Sequence, residues 1–317
     1  MTLVEIMISL VLLGIISGVV MRVITRQQRF YHGANQIMTQ RSQLRQATSV
    51  LPVDLRSLSS VGNDIIAATD SSIDFRMNVA TGIICEIVDA NTIALPPTKL
   101  ASGQTLTSFF GNDSLLSAAG GYEVYVYNDS NTVGNEEDYW KEYALASDVT
   151  ADAGRCLASF ADIMDAGQKR FIFRLSDPLG HSDPVLGGSL SQYIQVGAPV
   201  RVLRKVRYAL YQDTDGKWYL GFATWDAASS TFEALAPVSG PYDPYGTAAG
   251  VGFRYYDVDG LEIASGAGAS DRARIARIDL IARARTDANV RADGIQAGVS
   301  QQYRDSLAVS VMLRNRQ

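Results

Sequence analysis

The sequence predicts an α+β protein: a long N-terminal helix packed on an antiparallel β-sheet, with an inserted or additional β-rich region. Three observations predict it. From Ile6 to Met21 the chain is almost wholly apolar, softened only by Ser9, Gly14, Ser17 and Gly18. Val23, Phe30, Ile37, Leu44, Leu51 and Leu58 then recur at strict seven-residue spacing, one face of a helix that continues beyond the apolar run. From Ser72 onward the period changes to two, in runs bounded by Gly, Asp and Asn, which is the pattern of half-buried strands.

Composition agrees with a folded body. Of 317 residues, 47% are hydrophobic and 19% charged, a globular balance rather than a disordered one. Removing the long helix leaves about 260 residues, enough for one large or two modest domains. The net charge of −5 gives no overall support for a nucleic-acid binder. We divide the chain into an apolar helix half (1–27), an amphipathic helix half (28–58), a β-rich region with long loops (60–195) and an antiparallel sheet domain (196–317).

The first segment carries one charge, Glu5, before its apolar run, and Arg22, Arg26 and Arg29 close it. A secretory signal peptide wants positive charge before the run and a small-residue cleavage site after it, and neither is present. A buried core helix is rarely apolar all round for this length. A membrane anchor fits the length, since roughly 20 apolar residues span a bilayer. It leaves Glu5 unexplained. A carboxylate in an apolar segment costs a few kcal/mol and calls for a specific partner. The nearest partner is an amino group at residue 1, awkward to reach within one chain and easy between staggered helices.

Thr2-Leu3-Val4-Glu5 followed by a long apolar helix resembles the N-terminus of mature type IV pilins and pseudopilins. Met1 stands where that family usually has phenylalanine. The resemblance implies that a prepilin peptidase removes a basic leader in front of Met1 and that the new amine is methylated. It further implies that Glu5 pairs with a neighbour's N-terminus during assembly. It places the helix in the inner membrane, single-pass with a periplasmic body, and later in a filament or at its tip. In that oxidising compartment the two cysteines, Cys85 and Cys156, are expected as one disulfide, the alternative being two buried thiols.

The helix continues as an amphipathic element to about residue 51, on the order of 75 Å in all. Ala34, Met38, Ala47 and Leu55 widen its apolar stripe; Arg26, Gln36, Gln40, Gln43 and Gln46 form the opposite face. Gly14 and Gly18 each weaken the apolar half by roughly 1 kcal/mol relative to alanine. They read as a point of helix flexibility, by resemblance, or as a small-residue face for helix packing. Pro52 predicts a kink or break between Val50 and Val53, with a short continuation through Leu58.

The strands follow in order. Ser72–Met77 alternates; 82–88 and 92–95 form a hairpin around Asp89-Ala90-Asn91; 122–127, 140–145 and 169–175 are further strands. Val202–Tyr211 turns at Asp213-Thr214-Asp215-Gly216 and returns over 217–222. Residues 250–258 turn at Asp257-Val258-Asp259-Gly260. Residues 275–285 alternate, and Leu307, Val309, Val311 and Leu313 form the last strand. The closing Leu313-Arg314-Asn315, the order of these strands and hairpins, and Leu44-Arg45-Gln46-Ala47 followed by Asp54-Leu55-Arg56 resemble the PilW-type minor pilins. Those are related to the J-type pseudopilins of type II secretion, which are typically shorter.

No nucleophile elbow, phosphate loop or CxxC occurs, and the two histidines, His32 and His181, sit in ordinary polar settings. An enzyme, a cofactor, a metal and a small-molecule substrate are not expected. The two DxDG segments read as hairpin turns rather than calcium loops, since neither continues to a bidentate glutamate. The acidic loop with Asp129, Asn131, Glu136, Glu137 and Asp138 reads as solvated. Tyr242, Tyr245, Tyr255 and Tyr256 read as a loop folded on the sheet rather than an exposed binding patch. The basic set Arg272, Arg274, Arg277, Arg283, Arg285 and Arg291 reads as a solvated face rather than a phosphate or DNA contact. The expectation is a minor type IV pilin that primes or caps pilus assembly. Its partners would be other minor pilins, the major pilin and the inner membrane, with any surface or DNA ligand unspecified. The alternatives are a J-type pseudopilin and a stand-alone membrane-anchored adhesin.

Overall fold

A computed structural model describes residues 3–60, 62–100, 102–110, 116–128, 139–156, 168–177, 194–246, 250–286, 289–290 and 302–313, the side chain of Glu5 excepted. Helix α1 runs over Leu3–Leu55, 53 residues and about 80 Å long. It passes through Pro52 without the break that was one of the two expectations there. Pro52 lies one turn from the helix end, where only its own missing N–H is lost, and its carbonyl still accepts from Arg56 N–H at 3.1 Å. The fully buried Leu51, Leu55 and Leu58 on either side hold that turn against the body.

The strands are β1 (Ile65–Ala68), β2 (Ser72–Ile83), β3 (Glu86–Asp89), β4 (Thr92–Leu95), β5 (Ser108–Phe109), β6 (Tyr122–Asn128), β7 (Tyr139–Ala144), β8 (Thr150–Asp152) and β9 (Arg170–Arg174). They continue as β10 (Pro199–Gln212), β11 (Trp218–Asp226), β12 (Thr231–Phe232), β13 (Ala236–Tyr242), β14 (Val251–Tyr256) and β15 (Glu262–Ile263). After a short helix α2 (Ala269–Arg272) come β16 (Arg277–Arg285) and β17 (Arg304–Met312). Among the described residues they form a nine-stranded sheet and two four-stranded sheets, all antiparallel. Gly82 and Ile83 end β2 rather than opening the expected hairpin, whose first strand starts at Glu86.

Strand β10 is the spine. Residues 199–209 of it pair with β2, its first half also with β6 and its second half with β11. One hydrophobic core lies on its second half, where Val206, Tyr208 and Leu210 meet Ile73 and Phe75 of β2, the helix residues Leu44, Ala47, Leu51, Leu55 and Leu58, and the inner face of β14, β16 and β17. A second core lies on its first half, where Val200 and Val202 meet Val124, Val126, Tyr143, Phe173 and Ile93. The small sheet, in the order β15-β14-β16-β17, contributes Val251, Phe253, Tyr255, Ile278 and Leu280 to the first core. That is the alternation read from the sequence. On the last strand it is only partly realised: Val311 and Leu313 are buried, but Leu307 and Val309 are not fully covered.

The other face of the nine-stranded sheet carries charge in cross-strand pairs. Arg207 meets Asp74 directly opposite at 2.6 Å, and Glu123 accepts from Arg76 at 2.7 Å and from Lys205 at 2.5 Å. Rings line the same cations: Arg207 lies 4.2 Å from the Phe232 centroid and Lys205 5.5 Å from that of Trp225.

Candidate assembly helix

Every described side chain of α1 from Leu3 to His32 is exposed. By length and composition this helix suffices to cross a membrane. Glu5 lies in its first turns, with its side chain outside the described residues, as Met1 is. Gly14 and Gly18 are helical, and a Cβ on either would meet nothing within 4 Å. Arg22, Arg26 and Arg29 follow the apolar run, all exposed.

Contact with the body begins at Gly33, where a Cβ would lie 3.5 Å from the Val290 side chain. The next residue, Ala34, and Ile37 one turn on are half-buried. Two polar side chains then fix the helix to the small sheet. Gln40 is 4% exposed and donates through Nε2 to the Ala284 carbonyl; Arg41 donates to Asp305 at 3.1 Å and to the Tyr303 hydroxyl at 2.9 Å. Gln40 therefore belongs to the buried side rather than the polar face, and Met38, 68% exposed, does not belong to the buried stripe. At 3.6 residues per turn Gln40 lies only about 40° around the helix from the buried Leu44, whereas Met38 lies about 120° from it. Val23 and Phe30, further toward the N-terminus, are exposed.

Further down, Gln46 donates to the Val238 carbonyl at 3.0 Å, and the Tyr242 hydroxyl donates to the Gln43 carbonyl at 3.0 Å. Tyr208 donates to Asp54 at 2.8 Å, and burial pushes the Asp54 carboxyl above the usual range. Past the helix end the buried Asp64 carboxylate accepts from Ser59 N–H at 2.7 Å and from Arg201 at 3.0 Å. Burial raises its pKa above the usual carboxylate value, against the pull of Arg201. Cys85 and Cys156 form a disulfide across 71 residues.

The remaining candidates resolve into structure. The carboxylates of Asp213, Asp215 and Asp257 accept backbone N–H groups of their own turns, and Asp257 also accepts from Arg274 at 2.7 Å. The Leu261 N–H, the Asp259 N–H and the Arg274 guanidinium hold the Asp257 carboxyl below its usual range. Among the described residues no group of three metal-ligating side chains occurs. Tyr242 and Tyr255 are buried, Tyr256 lies under Arg277, and Tyr245 donates to Asp70 at 3.0 Å. Arg272 caps backbone carbonyls, Arg277 pairs with Asp279 and Arg285 with Asp243. His32 is exposed on α1; His181, the acidic loop 129–138, Arg291 and Arg314-Asn315 lie outside the described residues. Sequence reasoning misses Gln40, Arg41, Asp64 and their partners. No local signal marks them, because Ala284, Asp305, Tyr303 and Arg201 each lie more than a hundred residues from the side chain they meet.

No protein-family model matches this chain, and no curated protein and no solved structure does.

Proposed function

We propose that this chain is a minor type IV pilin, a non-enzymatic subunit that primes or caps a filament. One observation carries the reading. A single unbroken helix is almost wholly apolar over residues 6–21, with every described side chain from Leu3 to His32 exposed, and its second half is built into an antiparallel body. Such a helix suits two successive environments, lipid and then a bundle of like helices. Before assembly the helix crosses the inner membrane with the body on the periplasmic side. On extraction it lies among the helices of other minor pilins and the major pilin. Glu5 then neutralises the N-terminal amine of a neighbour, which offsets the few kcal/mol that a carboxylate costs in an apolar setting. The resemblance of Thr2-Leu3-Val4-Glu5 and of the C-terminal strand order to PilW-type minor pilins supports the same reading.

The test is Glu5→Ala. The variant enters the membrane at the normal level and joins sheared filaments poorly; incorporation at the wild-type level overturns the proposal. Mass spectrometry of the native N-terminus adds a second readout. A methylated residue 1 is expected, and an unmethylated one points instead to a stand-alone anchored protein.

A further inference from the structure

The outer edge of β17 differs from the other sheet edges of the described chain. Edge strands expose unpaired backbone groups and are normally blunted by shortness, proline, charge or a bulge. β13 carries Pro237 and Pro241; β1 is four residues long with a bulge; β3 has four residues, two of them acidic, and β8 three; β5, β12 and β15 have two residues each; β7 carries Lys141 and Glu142. β17 has nine residues in unbroken register with β16, and Ser306–Met312 contains neither proline nor charge.

Two hydrogen bonds set which backbone groups face outward. Thr286 N–H donates to the Tyr303 carbonyl at 2.9 Å, and Leu313 N–H donates to the Ala276 carbonyl at 3.0 Å. Both continue the β16–β17 register, so odd-numbered residues direct their backbone groups at β16 and even-numbered ones at the free edge. The Ser306 N–H is taken by the Asp305 carboxylate at 2.9 Å. The outward groups of Ala308, Ser310 and Met312 have no hydrogen-bond partner among the described residues, and all three residues are exposed. Beside them the first core is open: Leu307 is 37% exposed and Val309 half-buried, while their cross-strand partners Ala282 and Leu280 are fully buried.

The end of the edge indicates the chemistry of an occupant. Arg304 sits directly opposite Arg285, and like charges in that position repel. Arg285 has Asp243 at 3.3 Å; Arg304 has no partner among the described residues. A second copy of β17 paired antiparallel about Ala308 would set Arg304 against Met312 and supply no carboxylate. We propose that the free edge of β17 takes up an extended strand of a different protein chain. That strand has apolar side chains at alternate positions to cover Leu307 and Val309, no charge through its middle, and a carboxylate facing Arg304. The inference goes beyond the filament reading and stands without it.

The test uses the full chain in detergent. The probe is a capped synthetic peptide of about nine residues, alternating valine and threonine with one terminal glutamate; its control carries lysine there. The glutamate peptide should bind, about fivefold more tightly than the lysine peptide. Ala308→Pro should abolish binding and leave the unfolding midpoint in place, because its nitrogen faces away from β16. Arg304→Glu, which does not touch the ladder, should reverse the preference between the two peptides, and it decides the matter if the proline variant does not fold. The proposal is overturned by absence of binding, by equal binding to wild type and Ala308→Pro, by an unchanged preference in Arg304→Glu, or by self-association through β17 that Ala308→Pro removes.

Discussion

The same substitution at two places on one helix should have opposite consequences. Leu12 is 54% exposed and belongs to no core among the described residues, whereas Leu51 is fully buried in the first core. Leu51→Ala removes packing against residues fixed by two sheets and leaves a cavity that the helix cannot close, since Gln40, Arg41 and Gln46 pin it above and Leu55 and Leu58 below. Large-to-small changes at such positions cost about 3–4 kcal/mol. Leu12→Ala should shift the stability of the body by no more than about 0.5 kcal/mol. The three tryptophans, Trp140, Trp218 and Trp225, all lie in the body, so their fluorescence during guanidinium unfolding of the full chain in detergent reports that unit alone. A loss below about 1 kcal/mol for Leu51→Ala, or equal losses for the two variants, would refute the division of the helix into a free half and a packed half.

Two further outcomes follow from the same geometry. Replacing Cys85 and Cys156 together by serine opens a loop of 71 residues and should cost about 4 kcal/mol by the chain-entropy model, read from the same unfolding curves; a cost under about 1 kcal/mol would contradict it. Asp64 and Asp257 should respond to acid in opposite senses. Asp64 has a folded pKa above its unfolded one, so its contribution is full below the unfolded value and is lost as pH rises through the folded pKa. Asp257 has a folded pKa below its unfolded one, so its contribution is present above the unfolded value and is lost as pH falls through the folded pKa. Lowering the pH from about 7 to about 3 should therefore improve wild type relative to Asp64→Asn and weaken it relative to Asp257→Asn; parallel slopes for the two comparisons would be inconsistent with this assignment.

What can be read from the sequence is whatever depends on local periodicity. The helix, the strands β10, β11, β14 and β16, and the DxDG turns all follow from spacing within a few residues. β13 escapes such a reading because Pro237, Gly240 and Pro241 argue against a strand. It forms because it pairs with β11 at the rim of the sheet, where a strand tolerates residues that cannot donate. The union of residues 72–83 with 199–212 is equally hidden, because pairing partners far apart in sequence leave no local trace. The same limit applies to the helix. Its apolar stripe is visible, but the point at which the stripe meets the body is not, since it depends on where Ala284, Val290 and Asp305 come to rest. Glu5 is legible as an expensive charge; nothing local sets a partner for it.

The geometry of α1 constrains its surroundings more than its composition does. Soluble monomers rarely expose contiguous apolar patches beyond a few hundred Å², and a helix apolar on every side over residues 6–21 exceeds that. It therefore needs an apolar environment around its full circumference, which lipid and a helix bundle both provide. They differ in what they offer the polar exceptions. Lipid tails give no hydrogen bond to a carboxylate and gain nothing from the missing side chains of Gly14 and Gly18. Neighbouring helices can do both, bringing an amine to Glu5 and backbone close to the glycines. The exceptions in the apolar run, rather than the run itself, therefore separate an anchor from an assembly device, and Glu5→Ala is the substitution that acts on that difference.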